Sequence, residues 1–261
     1  MAISAVEEDR KYEMRYCAFL DILGFTELIA SIGKAEIGFE VVRNLLKKIH
    51  EPSKFDSAGT ADFRATTVSD AIALSSSFSA TGLAILVETI RRLMLGALEE
   101  GYFMRGGLCR GMLYHDNDTV FGDAFIKAYR LESSVARYPR VMVTKQVYDE
   151  AIISNVAGYL KTNISQAEDG PYFVDVLEHI RTELMLIDAG AATPEIAAGR
   201  LTSFARMRGQ IERRLVEAAD NPSHFEKAQW FAAYWNAAFV RDPRVGRIKG
   251  PGLILSIGIS D

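Results

Sequence analysis

Two aspartates occupy positions at which carboxylates can bind divalent metal ions. Asp21 lies near the end of an apolar run, 16–23, that has the length of a buried strand. An unpaired carboxylate there is costly to desolvate, so it needs a cation partner or a changed pKa. Asp70 lies between two β-prone runs. Either aspartate alone is better explained as a helix cap or a turn residue, but together they suit Mg²⁺ or Mn²⁺ with substrate phosphates.

The elements that would bring these aspartates together follow from hydrophobic spacing. Apolar residues recur at helical intervals after Gly24, with interruptions at Gly33 and Gly38. Ser69 and Asp70 are small polar residues between β-prone runs, which predicts a hairpin with Asp70 at its tip. The first half is therefore predicted to contain a strand over 16–23, a broken helix over 26–49, hairpin strands over 63–67 and 71–78, and a helix over 81–100.

The second half adds further strands and then a long helical region. Its predicted elements are a strand over 104–113, a loop over 115–118, a helical pattern opened by 119–122 and continuing through Arg137, strands at 141–144, 158–160 and 172–177, and helices over 193–239 broken at Pro222. This order predicts an α+β fold with a mostly antiparallel sheet covered by helices. The predicted divisions are a leader over 1–15, a main domain over 16–180 and a C-terminal helical extension over 181–261.

Composition narrows the function classes. The chain has 261 residues, a net charge of -4 and 49% hydrophobic residues. An acidic chain is a poor candidate for a dedicated nucleic-acid binder. No apolar run has the roughly 18 residues that a membrane span needs, and the N-terminus has no signal-like core, so a soluble cytoplasmic protein without membrane contact is expected. Cys17 and Cys109 are predicted to be buried reduced thiols.

Three segments resemble the class III nucleotidyl cyclases. The octet at 19–26 is FLDILGFT, similar to that family's metal-binding strand and phosphate turn. The segment at 68–71 is VSDA, similar to its second metal aspartate, although Ser69 stands where the family usually has glycine. The segment at 120–132 is VFGDAFIKAYRLE, similar to the helix that carries the family's transition-state arginine, which places Arg130 in that role. The resemblance covers residues 15–178 and implies the cyclase fold.

The resemblance implies roles for individual residues. Asp21 and Asp70 would bind two Mn²⁺ or Mg²⁺ ions, together with the backbone at Ile22. The backbone amides of the turn would bind the triphosphate at the N-terminus of a helix, and Arg130 would stabilise charge at the α-phosphate. The residues expected to contact phosphate are Leu23, Gly24, Phe25, Thr26 and, from the later part of the chain, Lys161.

The sequence departs from the family at the positions that read the base. Purine cyclases use a Lys and Asp pair or a Glu and Cys pair, whereas this chain has Thr66 and Thr119. A threonine hydroxyl cannot make the charged or bidentate contacts of purine readout. The family's ribose-orienting Asn is replaced by Ile126, and Lys127 and Asn117 are substitutes by proximity only.

Because it lacks the residues that read a purine base, this chain resembles the pyrimidine cyclases of the Pycsar anti-phage system. This implies conversion of UTP to cyclic UMP, a second messenger of antiviral defence, with CTP and cyclic CMP as the alternative, because hydroxyl side chains tolerate either pyrimidine edge. A purine cyclase with an unusual base pocket and a cyclase-fold module that only binds nucleotide remain further alternatives.

The family builds its active site between two domains, so a chain with one copy is expected to form a homodimer with composite sites. Apolar residues of the extension could support that dimer or pack against their own domain: Leu201, Phe204, Ile211, Leu215, Trp230, Phe231, Tyr234, Trp235 and Phe239. The four histidines, at positions 50, 115, 179 and 224, show no metal-ligand spacing and are expected at the surface or in loops.

Overall fold

The computed structural model describes residues 12–34, 38–50 and 61–250. The chain divides into two compact units, one formed by 1–97 with 103–176 and the other by 98–102 with 177–261. The leader up to residue 11 and the last eleven residues of the predicted extension lie outside the described ranges. None of the described helices has the length and hydropathy of a membrane span.

The first unit is organised around a mostly antiparallel sheet. Within the described residues, eight strands form this sheet in the order β2-β3-β1-β4-β6-β8-β7, and β5 pairs with β4. The β4–β6 pair is parallel and the other pairs are antiparallel. The predicted α+β class is confirmed. The strands are β1 (Glu13–Ile22), β2 (Arg64–Val68), β3 (Ala71–Ser77), β4 (Met104–His115), β5 (Val120–Gly122), β6 (Val141–Val143), β7 (Ile164–Gln166) and β8 (Tyr172–Val174).

Helices connect the strands of the first unit. They are α1 (Phe25–Gly33), α2 (Phe39–His50), α3 (Ala80–Glu99), α4 (Asp123–Arg130), α5 (Lys145–Ile153) and α6 (Ala157–Asn163), with a π-helical turn (Leu131–Val135) directly after α4. The broken helix, the hairpin and the helix before Gly101 are thus confirmed. β1 begins at Glu13, before the predicted start of the strand at Tyr16.

The second unit is helical. Its helices are α7 (Glu178–Asp188), α8 (Pro194–Glu217) and α9 (Pro222–Ala238). The predicted break at Pro222 is confirmed, because proline lacks an N–H and suits the first turn of a helix. The Asn221 side chain caps that turn by accepting a hydrogen bond from His224 N at 3.3 Å. Four aromatic residues of the predicted apolar stripe are buried, and α8 packs against α9: Phe204, Phe231, Trp235 and Phe239.

Two local predictions are wrong. Residues 158–160 were expected to form a strand but lie in α6, whose buried positions Leu160 and Asn163 are one helical turn apart. A short apolar run does not distinguish a strand from a helix by its spacing. Residues 120–122 were expected to open a helix but form β5. Gly122 has φ 140°, a conformation that favours glycine and separates the strand from the helix.

One face of the sheet carries α4. Alternation along β1 places Cys17, Phe19 and Asp21 on this face, opposite Cys109, Gly107 and Arg105 of β4. We call it the α4 face. Ala124 and Ala128 of α4 pack there against the two cysteines, which are free thiols as predicted. Small residues on both sides allow the helix and the sheet to approach closely.

Substitution of Gly107 tests the close approach of α4 to the sheet. A Cβ atom at Gly107 would lie 2.6 Å from Ala128 O and 2.7 Å from Leu131 Cβ. We therefore expect Gly107→Ala to lower the free energy of unfolding by about 1–3 kcal/mol, measured by urea denaturation. Gly96→Ala is the matched control, because it lies in α3 with no atom within 4 Å of the added Cβ. A loss of stability for the control as large as that for Gly107→Ala would contradict this packing.

Candidate active site

The structure brings Asp21 and Asp70 together. Asp21 is near the end of β1, and Asp70 lies in the turn between β2 and β3. Because β3 pairs with β1, with Leu20 opposite Ile72, the turn lies beside the end of β1. The two carboxyl groups are close enough for Asp70 to raise the pKa of Asp21. The sequence prediction that they converge is therefore met by the geometry.

This pairing changes the proton affinity of Asp21. Burial, the charge of Asp70 and the hydrogen bond to it, and the charge of Glu132 together raise the pKa of Asp21 to about 7, while Arg105 acts in the opposite direction. A carboxylate that gains a second carboxylate as its neighbour binds a proton more tightly. Asp21 thus binds a proton at a higher pH than an ordinary aspartate does.

Arg105 and Glu132 lie beside the aspartates. The sequence did not identify these two residues. Arg105 is the cross-strand neighbour of Asp21, and its Nη2 lies 4.0 Å from Asp21 Oδ2. Its Nε forms an ion pair at 2.6 Å with Oε1 of the buried Glu132. Arg105 Nη1 also donates a hydrogen bond to Ala136 O at 3.3 Å. Arg105 is therefore oriented from two sides, and its position depends on a strand register that spacing alone does not give.

The turn that holds Asp70 explains the departure at Ser69. Ser69 has φ 57°, in the left-handed region that favours glycine. The family's usual glycine suits this conformation, and serine adopts it here at an exposed position. The difference at Ser69 therefore leaves the hairpin geometry and the placement of Asp70 intact.

The predicted phosphate turn lies directly after Asp21. Gly24 has φ 84° and precedes α1, which begins at Phe25. The first amides of a helix have no partner within that helix and point toward the space before its N-terminus. Leu23 was predicted to bind phosphate with them, but its N–H donates to Phe103 O at 2.8 Å. The amides of Gly24, Phe25 and Thr26 are therefore the stronger candidates.

The donor set at this site fits a hard divalent cation. Asp21 and Asp70 offer carboxylate oxygens, and the backbone carbonyl of Ile22 follows at the end of β1. Mg²⁺ and Mn²⁺ prefer oxygen ligands, and Mg²⁺ is usually held by one or two carboxylates plus phosphates. In the part of the chain that the structure describes, no group of three or more His, Cys, Asp or Glu residues is placed to hold a metal ion. Two carboxylates and one carbonyl would leave positions around the ion for substrate phosphates.

Arg130 is at the exposed end of α4. It is the last residue of α4, its side chain is exposed, and it makes no ion pair or hydrogen bond with another described residue. Ile126, one turn earlier, is also exposed at 50%. Lys127, suggested as a substitute for the missing ribose contact, forms an ion pair with Asp123 at 2.5 Å. Asn117 lies in the exposed loop between β4 and β5.

The two threonines predicted to contact the base differ in their surroundings. Thr66 lies in β2 and its Oγ1 is 3.0 Å from His115 Nε2. Thr119 is exposed, and its N–H donates to Asp116 Oδ1 at 2.8 Å. His115 was expected at the surface or in a loop, but it is buried at the end of β4. Burial, with Arg15 and Arg64 nearby, lowers the pKa of His115 to about 4.

Lys161 was predicted to contact phosphate from a position near the final strands. The structure places it in the last turn of α6, with an exposed side chain. Among the described residues, Lys161 forms no hydrogen bond or ion pair with the aspartates or with the turn at Gly24. Lys161 therefore lies directly before β7, and its contact with phosphate stays a prediction.

Comparisons with known proteins give structural similarities only. No protein-family model matches the sequence, and no curated protein matches it. The guanylyl cyclase domain of the RhoGC fusion protein from the aquatic fungus Blastocladiella emersonii is similar with a TM-score of 0.43 and 16% identity, over 63% of this chain and 95% of that chain. For a bacterial light-regulated adenylyl cyclase the TM-score is 0.39 with 14% identity, over 67% and 55%. The guanylyl cyclase Cya2 has a TM-score of 0.39 and 12% identity, over 64% and 92%.

The carboxyl pair predicts a pH-dependent stability in metal-free protein. Because the folded protein raises the pKa of Asp21 from 3.8 to about 7, folding becomes less favourable as pH rises through that interval. We expect the stability gained by Asp21→Asn over the unchanged protein to be larger at pH 8 than at pH 5. The difference should be roughly 1–2 kcal/mol after allowance for solvent screening, measured by urea unfolding in a chelator.

Asp149→Asn provides the control for this comparison. Asp149 is an exposed residue of α5 that forms an ion pair with Lys145. It is not one of the carboxylates of the candidate site. Its substitution should change stability by the same small amount at both pH values. An effect of Asp21→Asn that is equal at pH 5 and pH 8 would contradict the raised pKa of Asp21.

Proposed function

We propose that this protein is a nucleotidyl cyclase that converts a nucleoside triphosphate into a 3′,5′-cyclic nucleotide and pyrophosphate. The observation that carries the proposal is the meeting of Asp21 and Asp70 beside the turn at Gly24 and the start of α1. A pair of carboxylates next to a phosphate-binding turn is suited to a metal-bound triphosphate. The sequence resemblance at 19–26 and 68–71 independently assigns the same residues to that task.

The reaction forms a bond between the ribose 3′ oxygen and the α-phosphorus and breaks the bond from that phosphorus to the pyrophosphate. Two bound Mn²⁺ or Mg²⁺ ions would supply activation of the hydroxyl and neutralisation of phosphate charge. Asp21, Asp70 and the Ile22 carbonyl would hold them. The turn amides of Gly24, Phe25 and Thr26 would orient the triphosphate, leaving its α-phosphate exposed to attack.

We further propose a pyrimidine substrate, with UTP and cyclic UMP favoured and CTP as the alternative. Thr66 and Thr119 stand at the positions where purine cyclases carry charged or thiol readers, and hydroxyls suit the smaller pyrimidine edge. The resemblance to Pycsar cyclases extends this to a cytoplasmic enzyme whose product signals viral infection. These finer assignments rest on the residues at the base positions.

A homodimer with composite sites follows from the position of Arg130. Arginine is a permanent cation whose planar donors match phosphate oxygens. In one chain, however, Arg130 is exposed and Arg105 is the cation beside the aspartates. We propose that Arg130 acts on the triphosphate bound by the aspartates of a second copy. Two-fold symmetry would then produce two equivalent sites.

The substrate assignment is tested by incubating purified protein with Mn²⁺ and each of the four nucleoside triphosphates. We expect cyclic UMP, identified by mass spectrometry, and at least about 100-fold less product from Asp21→Ala, because the variant loses a metal ligand. Asp149→Ala should retain activity. A purine product would replace the pyrimidine assignment, and nucleotide binding without pyrophosphate release would identify a non-catalytic module.

The composite site is tested by mixing two inactive variants. Asp21→Ala and Arg130→Ala chains should each be inactive, yet a heterodimer of the two retains one site with every required residue. Random exchange of subunits should therefore restore up to about one quarter of the unchanged activity, since half of the dimers carry one intact site of two. Subunit exchange is followed with differently tagged chains. No recovery despite proven exchange would exclude a site shared between copies.

A further inference from the structure

His115 makes hydrogen bonds at both ring nitrogens, an arrangement that neither metal binding nor phosphate binding explains. Its Nδ1 lies 2.8 Å from Ser75 Oγ, and its Nε2 lies 3.0 Å from Thr66 Oγ1. Ser75 in turn accepts a hydrogen bond from Arg15 Nε at 3.2 Å. Arg15, Ser75, His115 and Thr66 thus form a continuous chain of contacts, which we call the relay.

The first part of the relay has a defined direction. Arg15 only donates hydrogen bonds, and it is held by Glu13 at 2.9 Å and by Asp62. Ser75 is fully buried, and within the described part of the chain its hydroxyl contacts Arg15 and His115 alone. Since Arg15 offers no acceptor, the arrangement that pairs every one of these polar atoms has the Ser75 hydroxyl donating to His115 Nδ1.

The second part of the relay follows from the protonation state of His115. Burial and the nearby cations Arg15 and Arg64 lower the pKa of His115 to about 4, so the ring is neutral at pH 7. A neutral imidazole carries one proton, and Nδ1 is already an acceptor. The proton therefore lies on Nε2, which donates to Thr66 Oγ1. This leaves the proton of the Thr66 hydroxyl pointing away from His115, because the oxygen has become an acceptor on that side.

We propose that the relay keeps the proton of the Thr66 hydroxyl available to the bound base and thereby selects uracil over cytosine. The inference rests on the proposed function, which places the base at Thr66. Uracil has a carbonyl oxygen at the position where cytosine has an amino group. A hydroxyl that accepts from His115 can donate its proton to that carbonyl, whereas a hydroxyl that donates to His115 can only accept, which suits the amino group. His115 acts through Thr66 and is a positioning residue.

The Ser75→Ala variant removes the hydrogen bond that holds the His115 proton on Nε2. Without the Ser75 hydroxyl, His115 can carry its proton on Nδ1, and Thr66 can then donate to Nε2 and accept from cytosine. We expect the ratio of kcat/KM for UTP to that for CTP to fall about three- to tenfold, which corresponds to one net hydrogen bond. Ser75→Thr keeps a hydroxyl on the strand and should preserve the ratio.

Ser76→Ala is the matched control. Ser76 is the adjacent residue of β3, is equally buried, and lies on the opposite face of the sheet. Its Oγ has no hydrogen-bond partner among the described residues. This variant should leave the UTP to CTP ratio unchanged. An equal change of the ratio in the Ser75 and Ser76 variants would overturn the relay, as would an unchanged ratio in Ser75→Ala.

Nuclear magnetic resonance can determine which nitrogen of His115 is protonated, without a measurement of enzyme turnover. In protein labelled with ¹⁵N-histidine, and with the signal assigned by His115→Gln, His115 should be the neutral tautomer that is protonated on Nε2. The Nδ1-protonated tautomer or a charged ring at pH 7 would overturn the inference.

Failure of the cyclase proposal gives a separate signature. If no nucleotide yields a cyclic product, that proposal fails. The relay is then judged by binding: dissociation constants for UTP and CTP, measured by calorimetry with Mn²⁺ on the unchanged protein and on Ser75→Ala, replace kcat/KM in the ratio. A preference for UTP that is lost only in Ser75→Ala supports base selection. Equal binding of the two nucleotides, or no binding of either, overturns it.

Discussion

The pairing of β1 with β4 is the constraint on which the rest of the structure depends. This register sets Asp21 opposite Arg105 and Cys17 opposite Cys109, and it places His115 on the α4 face. The pairing of β3 with β1 then brings the turn that holds Asp70 to the end of β1. A slip by one residue would move every side chain of β1 to the other face. The apolar residues Leu20 and Ile22, both buried on the opposite face, oppose such a slip because it would expose them.

Negative charges outnumber positive charges near the aspartates on the α4 face. Asp21, Asp70 and Glu132 lie close together, and Arg105 is the cation that acts on this group. Because Arg105 also forms an ion pair with the buried Glu132, it cannot neutralise both aspartates. The folded chain therefore keeps a negative site at a cost in its own stability, as expected where function and stability compete. Under the proposed function, a cation that enters with an anionic substrate would relieve this cost.

Local signals in the sequence were enough to predict the strand, the hairpin and their aspartates. A polar residue in an apolar run and small residues between β-prone segments depend only on near neighbours in the chain. Arg105, Glu132 and His115 were not predicted as site residues, because their roles arise from register across strands and from packing of the turn after α4. The segment before Lys161 was predicted as a strand because a short apolar run does not distinguish a helix from a strand. The segments were thus predictable, whereas the network between them was not.

The packing of α4 explains why, under the proposed function, one copy cannot complete its own site. Gly107 and the alanines Ala124 and Ala128 let α4 lie directly on the sheet, which commits one side of this helix to the core. Ile126, Tyr129 and Arg130 must then lie on its exposed side. The same contacts that bury the α4 face therefore leave the arginine at the surface of the chain. Under the proposed function, an exposed arginine is available to a triphosphate held by the aspartates of a second copy, and the packing of α4 on its own sheet is what makes it available.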